Sequence, residues 1–503
     1  MSEVLPPKNL SSEADDSEAS SVPGVATLGG LKASGWASVP VAEELRRNAL
    51  VRIRVGEPLF PEILGYEETV FPQLETALLA GHDVILLGER GQAKTRIIRG
   101  LTDLLDEWMP VVAGSEVNDD PYEPVSRYGR DQVAEHGDDT PIDWVHRSNR
   151  YGEKLATPDT SIADLIGEVD PIRVAEGRYL SDELTIHYGL VPRTNRGLFA
   201  INELPDLAER IQVGLLNVLE ERDIQIRGHR VRLPLDVVLF ASANPEDYTN
   251  RGRIITPLKD RFGSQIRTHY PLETEVEMDI VVQEASVPAV EGLEVLVPDF
   301  MTRVVAAISR EARNSPHLNH RSGVSVRMSV ANYEALVASA VRRSVRSGEA
   351  VAVPRVSDLE ALPASMAGKV EVDSLDDGRD GEILERIVRA GVLSVFRDLV
   401  PGELHRGVVE AFDDHDGVST GEDVGASSYV EVSEAIPALS TAATVVMGDE
   451  PEALPDANRH PALVASAVEL VLEGLHLSKR LNKRTSGPES RYEARGGSTS
   501  KTD

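Results

Sequence analysis

Val84-Ile85-Leu86-Leu87-Gly88-Glu89-Arg90-Gly91-Gln92-Ala93-Lys94-Thr95 is the stretch that decides how this chain folds. Four apolar residues in a row read as a buried parallel strand. They run into a glycine-containing turn, and the turn feeds a helix starting near Lys94. Strand, loop and helix in that order are the context that a phosphate-binding loop, G-x-x-x-x-G-K-[ST], requires. Its glycines let backbone N–H groups converge on phosphate oxygens, and the helix N-terminus adds partial positive charge. Gly88, Glu89, Arg90, Gly91, Gln92, Ala93, Lys94 and Thr95 are therefore candidate ATP-binding residues. Lys94 would reach the β- and γ-phosphates and Thr95 would ligate Mg²⁺. Ala93 stands where the second glycine of the pattern usually is.

Downstream, Asn195-Arg196-Gly197-Leu198-Phe199-Ala200-Ile201-Asn202-Glu203 reads as a second apolar strand with an acidic end. In nucleotide sites such a strand brings one residue to the Mg²⁺ shell and a following carboxylate to the attacking water. Asn202 takes the position usual for Asp, and Glu203 is the candidate base. Asp206 to Glu221 has helical periodicity, and Ile224 to Leu233 alternates about Gly228-His229 as a β-hairpin does. Val237 to Asn244 reads as a third buried strand. Ligands of open α/β sheets bind beyond the carboxyl ends of strands, so Asn244 is placed to sense a γ-phosphate. In Leu258-Lys259-Asp260-Arg261-Phe262-Gly263, Arg261 is a candidate finger for a neighbouring subunit's ATP, with Arg251 and Arg253 as rivals. Glu273 to Glu349 is mostly helical in pattern. Within it, Gly323-Val324-Ser325-Val326-Arg327-Met328-Ser329 enters a helix from which Arg327 could reach the nucleotide.

Upstream, Val41 to Leu50 and Val70 to Ala80 have helical spacing, and Ile97 to Trp108 is expected to continue the helix behind the loop. Residues 1–40 are rich in Ser, Glu, Asp, Gly and Pro, which predicts disorder. Ser115 to Glu153 is polar and reads as an insertion at the edge of the nucleotide domain. Its His136 and His146 invite a metal reading, but their spacing matches no ligand motif. Past residue 350, Asp377 to Phe396 and Pro461 to Leu477 read as helices, separated by an acidic stretch from Asp413 to Glu431. From Lys479 onward the chain is basic and Ser/Gly-rich, expected to be a disordered tail.

The 503 residues are enough for several domains, and their net charge of −31 argues against a nucleic-acid binder. The chain has no cysteine, which excludes disulfides and Cys-based zinc sites and fits a reducing cytosol. No run of about 18 apolar residues appears, and the N-terminus is acidic rather than basic then apolar. The expectation is a cytoplasmic protein without membrane contact.

The order of these motifs resembles the AAA+ ATPases, in particular the clade of MoxR-type ATPases and the ATPase subunit of magnesium chelatase. The resemblance covers roughly Leu59 to Ser344. Gly88 to Thr95 looks like the Walker A loop, and Ala before the Lys is familiar in MoxR-type members. Ala156 to Thr160 through Gly167 to Asp170 resembles the chelatase stretch before its helix-2 insertion, and Gly189 to Leu207 that insertion's exit into Walker B. Ile224 to Leu233 matches the pre-sensor-1 hairpin, Asn244 sensor 1, Arg261 the arginine finger and Arg327 sensor 2.

The resemblance implies an α/β nucleotide domain with a central parallel sheet over residues 41–272, with the insertion at 115–153. A helical lid over 273–349 and a mostly helical C-terminal extension over 350–478 would follow, with the tail at 479–503. It implies ATP and Mg²⁺ as cofactors, hydrolysis in a homo-oligomeric ring, expected to be a hexamer, and a partner with a von Willebrand factor A domain. A genuine chelatase subunit and a nucleotide-binding scaffold with little turnover are the alternatives. Asn202 motivates the scaffold, and the absence of a Gly-Ala-Phe-Thr-Gly-Ala loop disfavours an enhancer-binding activator.

Overall fold

The computed structural model describes residues 21–170, 183–221, 223–225, 232–244, 253–319, 323–372, 378–413, 415–448, 460–487 and 489–495. In chain order, β1 (Val84–Leu87) is followed by the antiparallel pair β2 (Trp108–Val112) and β3 (Ile142–His146), then by β4 (Tyr151–Leu155). The short pair β5 (Gly167–Val169) and β6 (Ile186–Tyr188) precedes β7 (Gly197–Asn202). The hairpin strands β8 (Asp223–Gln225) and β9 (Arg232–Pro234) then lead to β10 (Val237–Ala243) and β11 (Ser264–Arg267).

Five of these strands form one parallel sheet in the order β11-β1-β10-β7-β4. The pairs β2/β3, β5/β6 and β8/β9 are excursions from it. The four residues of β1, the six of β7 and the seven of β10 are all buried, as strands covered by helices on both faces must be. Alternation divides them between two cores. Val84, Leu86, Leu198, Ala200, Val238 and Phe240 pack with the helices Val41–Val55, Val70–Ala80 and Lys94–Gly100. Ile85, Leu87, Phe199, Ile201, Leu239 and Ala241 pack with the helix Glu209–Glu221 on the other face.

Several boundaries differ from the sequence reading. The helix behind the loop runs only Lys94–Gly100, passes into a 3-10 turn at Leu101–Leu104, and Trp108 already begins a strand. The insertion ends sooner than Glu153, because Tyr151–Leu155 pairs in parallel with β7 as the edge of the central sheet. Residues 21–40 are ordered, contrary to the expected disorder. The helix Leu28–Ser34 buries Leu28 and Leu31, Thr27 caps it through Gly30 N at 3.2 Å, and Trp36 packs on Tyr122. Apolar residues too sparse to be read as a core suffice there because they dock on the β2/β3 unit. Residues 1–20 lie outside the described residues.

Beyond the sheet, helices Thr274–Glu284, Asp299–Asn314 and Val326–Ser347 stand where the lid was expected, with β12 (Glu294–Val295) paired to β13 (Val351–Ala352). Helices Asp380–Leu399, Gly402–Asp413, Ala426–Ala435, Pro437–Met447 and Pro461–Leu477 follow. The lid and this extension share one hydrophobic core from Val281 to Tyr492, so residue 349 is no boundary in packing. Fully buried Arg343 reinforces the junction, donating to Asp358 Oδ2 at 3.1 Å and to the Val353 carbonyl at 2.7 Å.

The stretch expected to be a disordered tail contains two strands. β15 (Leu481–Ser486) and β16 (Glu489–Ala494) join β14 (Val418–Gly421) in an antiparallel sheet. Leu481 and Tyr492 are buried, and Gly487 takes φ +62° at the turn between the strands. Basic residues on the outer face of this hairpin gave it the composition of a solvated end. Among the described residues no helix is long and apolar enough to cross a membrane.

Candidate nucleotide site

The loop leaves β1 at its carboxyl end, where Gly88 N donates to the Ala243 carbonyl of β10 at 3.1 Å. A Cβ on residue 88 would fall 1.8 Å from Thr268 Oγ1 and 2.2 Å from Gln92 Oε1, so only glycine fits. Gly91 has φ +73°, the left-handed region that favours glycine. Ala93 also lies in that region at φ +53°, which is the physical reason a glycine is usual at this position.

The Lys94 ammonium is buried and donates to the carbonyls of Gly88 at 2.5 Å and Glu89 at 2.7 Å, holding it within the loop's curve. Gln92 Oε1 accepts from Glu89 N at 3.0 Å and Thr268 Oγ1 at 2.7 Å. The Tyr66 hydroxyl lies 3.0 Å from the Gln92 carbonyl and 2.8 Å from that of His269, and burial pushes its phenol well above the ordinary range. Tyr270 donates to the Arg90 carbonyl at 3.0 Å. The loop is thus clamped from β10, from the segment after β11 and from the turn before the helix Val70–Ala80.

Parallel register carries the other candidates to the same edge. Ala241 pairs with Ile201 and Ala243 with Leu87, so Glu203 and Asn244 both emerge at the carboxyl edge beside the loop. Asn202 is buried, its Oδ1 accepting from Ser242 Oγ at 2.9 Å and lying 3.5 Å from Thr95 Oγ1. Glu203 has φ +55°, turning the chain off the strand, and its N–H donates to Ser242 Oγ at 3.3 Å. The amide of Asn202 donates through Nδ2 to Glu153 Oε1 at 2.5 Å.

Two arginines stand apart from this group. Arg261 ends the helix Thr256–Arg261 just before β11, whose first residue pairs with the first residue of β1. It therefore sits at the amino edge of the sheet, away from its own loop. Arg327 is the second residue of the helix Val326–Ser347 and is exposed, while Ser325 and Val326 beside it lie against the loop. Arg253 pairs with Glu209 at 3.8 Å, and Arg251 lies outside the described residues. Among the described residues no group of three or more His, Cys, Asp or Glu could hold a metal ion, and His136 and His146 bond locally to Gln132 and Ser148.

An open cleft with a cavity volume of about 70 Å³ lies between the loop and the helices Thr274–Glu284 and Val326–Ser347. Ile63, Leu64, Tyr66, Ile280 and Val326 give it apolar walls beside Gly91–Ala93.

Similarity to characterised chains agrees with this geometry. The chain is 29% identical over 234 residues to magnesium-chelatase subunit ChlI of Nostoc sp., covering 45% of this chain and 58% of that one. It is 29% identical over 245 residues to the subunit of the same name from Nephroselmis olivacea, covering 46% and 63%. Over the matched segment the chain is similar to magnesium-chelatase subunits of this name. It spans about 58% of the length of the first of these relatives. No protein-family model matches the sequence. Among solved structures, the complex between subunits BchI and BchD of magnesium chelatase aligns at 20% identity and a TM-score of 0.33, over 65% of this chain and 98% of that one. NtrX from Brucella abortus in complex with ATP aligns at 13% identity and a TM-score of 0.34, over 74% and 64%.

Motif reading missed Glu153, Tyr66, Thr268, Tyr270 and Ser325. Glu153 sits on an edge strand whose Leu155 is exposed, so no apolar run marked it. The other four are loop or cap residues whose importance is created by contacts distant in sequence.

Proposed function

We propose that this chain binds Mg²⁺ and ATP at the loop Gly88–Thr95 and hydrolyses ATP between neighbouring copies in a ring. The observation supporting this most directly is the convergence of Lys94, Thr95, Asn202, Glu203 and Asn244 at one sheet edge while Arg261 lies at the opposite one. Loop N–H groups and Lys94 would hold the phosphates once the ammonium exchanges its carbonyl partners for phosphate oxygens. Glu203 would orient the attacking water and take its proton, and Asn244 would bond the γ-phosphate. Thr95 Oγ1 and Asn202 Oδ1, 3.5 Å apart, are hard oxygen donors of the kind Mg²⁺ takes alongside phosphates and water. The ion when bound supplies charge neutralisation on the phosphates. Arg261 would complete a neighbour's site, and Arg327 would close on the nucleotide with the lid. The adenine would rest in the apolar cleft bounded by Ile63, Tyr66, Ile280 and Val326.

The work done would be remodelling of a partner protein bearing a von Willebrand factor A domain, by a ring of this chain, proposed to be a hexamer acting in the cytoplasm. The names of the relatives favour a second reading, in which the chain drives Mg²⁺ insertion into a porphyrin. Nucleotide binding and phosphate release by the wild type, Lys94→Ala and Glu203→Gln test the shared core of both readings. Lys94→Ala is expected to lose nucleotide binding. Glu203→Gln is expected to bind ATP and release phosphate at least about 10²-fold more slowly. Hydrolysis unchanged in Glu203→Gln would refute the assignment.

A further inference from the structure

In the strand next to the phosphate loop's metal side, an amide stands where a carboxylate would be expected. A carboxylate stands directly beside it. Glu153 of the edge strand β4 and Asn202 of β7 lie on the same sheet face, because register pairs Glu153 with Ala200 and Leu155 with Asn202. They are diagonal neighbours, within reach of long side chains. Glu153 Oε1 accepts from Asn202 Nδ2 at 2.5 Å. Its Oε2 accepts from Arg99 Nε at 2.9 Å and from the Tyr151 hydroxyl at 3.1 Å. Arg99 belongs to the helix that starts at Lys94, so the carboxylate bridges the edge strand, the central strand and the loop helix. The bond to Glu153 raises the Arg99 guanidinium above its ordinary range.

Both ends of the Asn202 amide are used, and in a definite sense. Nδ2 can only donate, and it faces an acceptor. Oδ1 can only accept, and it faces Ser242 Oγ at 2.9 Å and Thr95 Oγ1 at 3.5 Å. Glu153 thus fixes which end of the amide faces Thr95. A charged acceptor on the N–H end of an amide polarises it and makes the distant oxygen a stronger acceptor. An Asp at 202 would instead set two carboxylates in contact, and one would have to take up a proton.

We propose that Glu153 and Asn202 form a carboxylate–amide relay, in which Glu153 is a positioning residue returning to the metal side the negative charge that position 202 lacks. The inference rests on the Mg²⁺ and ATP reading above. Asn202 is then not a defect that weakens the site; it is the residue that Glu153 requires as its neighbour.

A double-mutant cycle tests this. Wild type, E153Q, N202D and E153Q/N202D are compared in two measurements: Mg²⁺ titration of the binding of a fluorescent ATP analogue, and melting of the protein without nucleotide. The Mg²⁺ concentration at half-saturation is expected to rise about tenfold or more in E153Q, the loss typical of outer-shell partners. N202D alone is expected to melt lower than wild type and to gain no Mg²⁺ affinity. The double variant is expected to recover both the melting temperature and the Mg²⁺ dependence, because one carboxylate and one amide are again in contact. Additive effects, or N202D alone binding Mg²⁺ more tightly with unchanged melting, would overturn the relay. A wild type that binds no nucleotide at any Mg²⁺ concentration would refute the nucleotide reading and the metal role together. Melting of the four proteins would then still decide whether residues 153 and 202 are a matched pair.

Discussion

Gly91 of the phosphate loop lies directly against Ser325, the N-cap of the lid helix: a Cβ on residue 91 would fall 1.8 Å from the Ser325 hydroxyl oxygen. A second contact reinforces this one, since a Cβ on Gly323 would meet Glu89 Oε2 at 2.4 Å. Loop and lid therefore meet through residues with no room for a methyl group. Gly91→Ala must also hold φ +73° with a side chain. The expected result is a loss of about 1–3 kcal/mol in stability together with loss of nucleotide binding, read by calorimetry and by titration with a fluorescent nucleotide.

Ala93 invites the opposite change. Its left-handed backbone carries a methyl group that glycine would not, so Ala93→Gly is expected to stabilise the protein by roughly 0.5–1 kcal/mol. The gain is the strain relieved, less the extra freedom of glycine in the unfolded chain. Thermal melting with and without nucleotide checks it.

The sheet was legible because its central strands carry continuous apolar runs, residues 84–87, 198–201 and 237–241, bounded by glycine or polar residues. The convergence of the motif residues followed, since residues at strand ends meet wherever the strands are parallel. The edge strand at Tyr151–Leu155 was not legible, because one side faces solvent and its residues alternate weakly. Nor was the contact of Glu153 with Asn202, which is a diagonal one between β4 and β7. The extension was legible as helices such as Pro461–Leu477. That it closes a single core with the lid was not, since periodicity gives a face to each helix but no partner for it.

The last hairpin yields a further test of that shared core. Glu473 is buried in the helix Pro461–Leu477 and accepts from Lys483 at 2.8 Å and from the Tyr492 hydroxyl at 2.5 Å. Ending the chain at Ser478 removes both donors and the buried Leu481 and Tyr492 side chains. A disordered tail would be lost without consequence. The expectation here is destabilisation of about 3–5 kcal/mol, the usual result of stranding a buried charge, seen as a lower denaturation midpoint.

Arg261 sets apart a site shared between copies from one complete within a chain. It lies at the amino edge of the sheet and the loop at the carboxyl edge, so the proposed site would take it from a neighbouring copy. Arg261→Ala is expected to keep nucleotide affinity within a few-fold while hydrolysis falls by about 10³-fold or more. Equilibrium binding and steady-state turnover on the same preparation separate these effects.

The most direct measurement of the central claim mixes two variants. Lys94→Ala lacks a working loop and Arg261→Ala lacks the residue given to a neighbour, so each alone should be inactive. Mixed in equal amounts and allowed to exchange, they should regain about a quarter of wild-type turnover, the fraction of junctions that unite an intact loop with an intact Arg261. Mixtures that stay as inactive as either variant, under conditions where subunits demonstrably exchange, would contradict a site shared between copies.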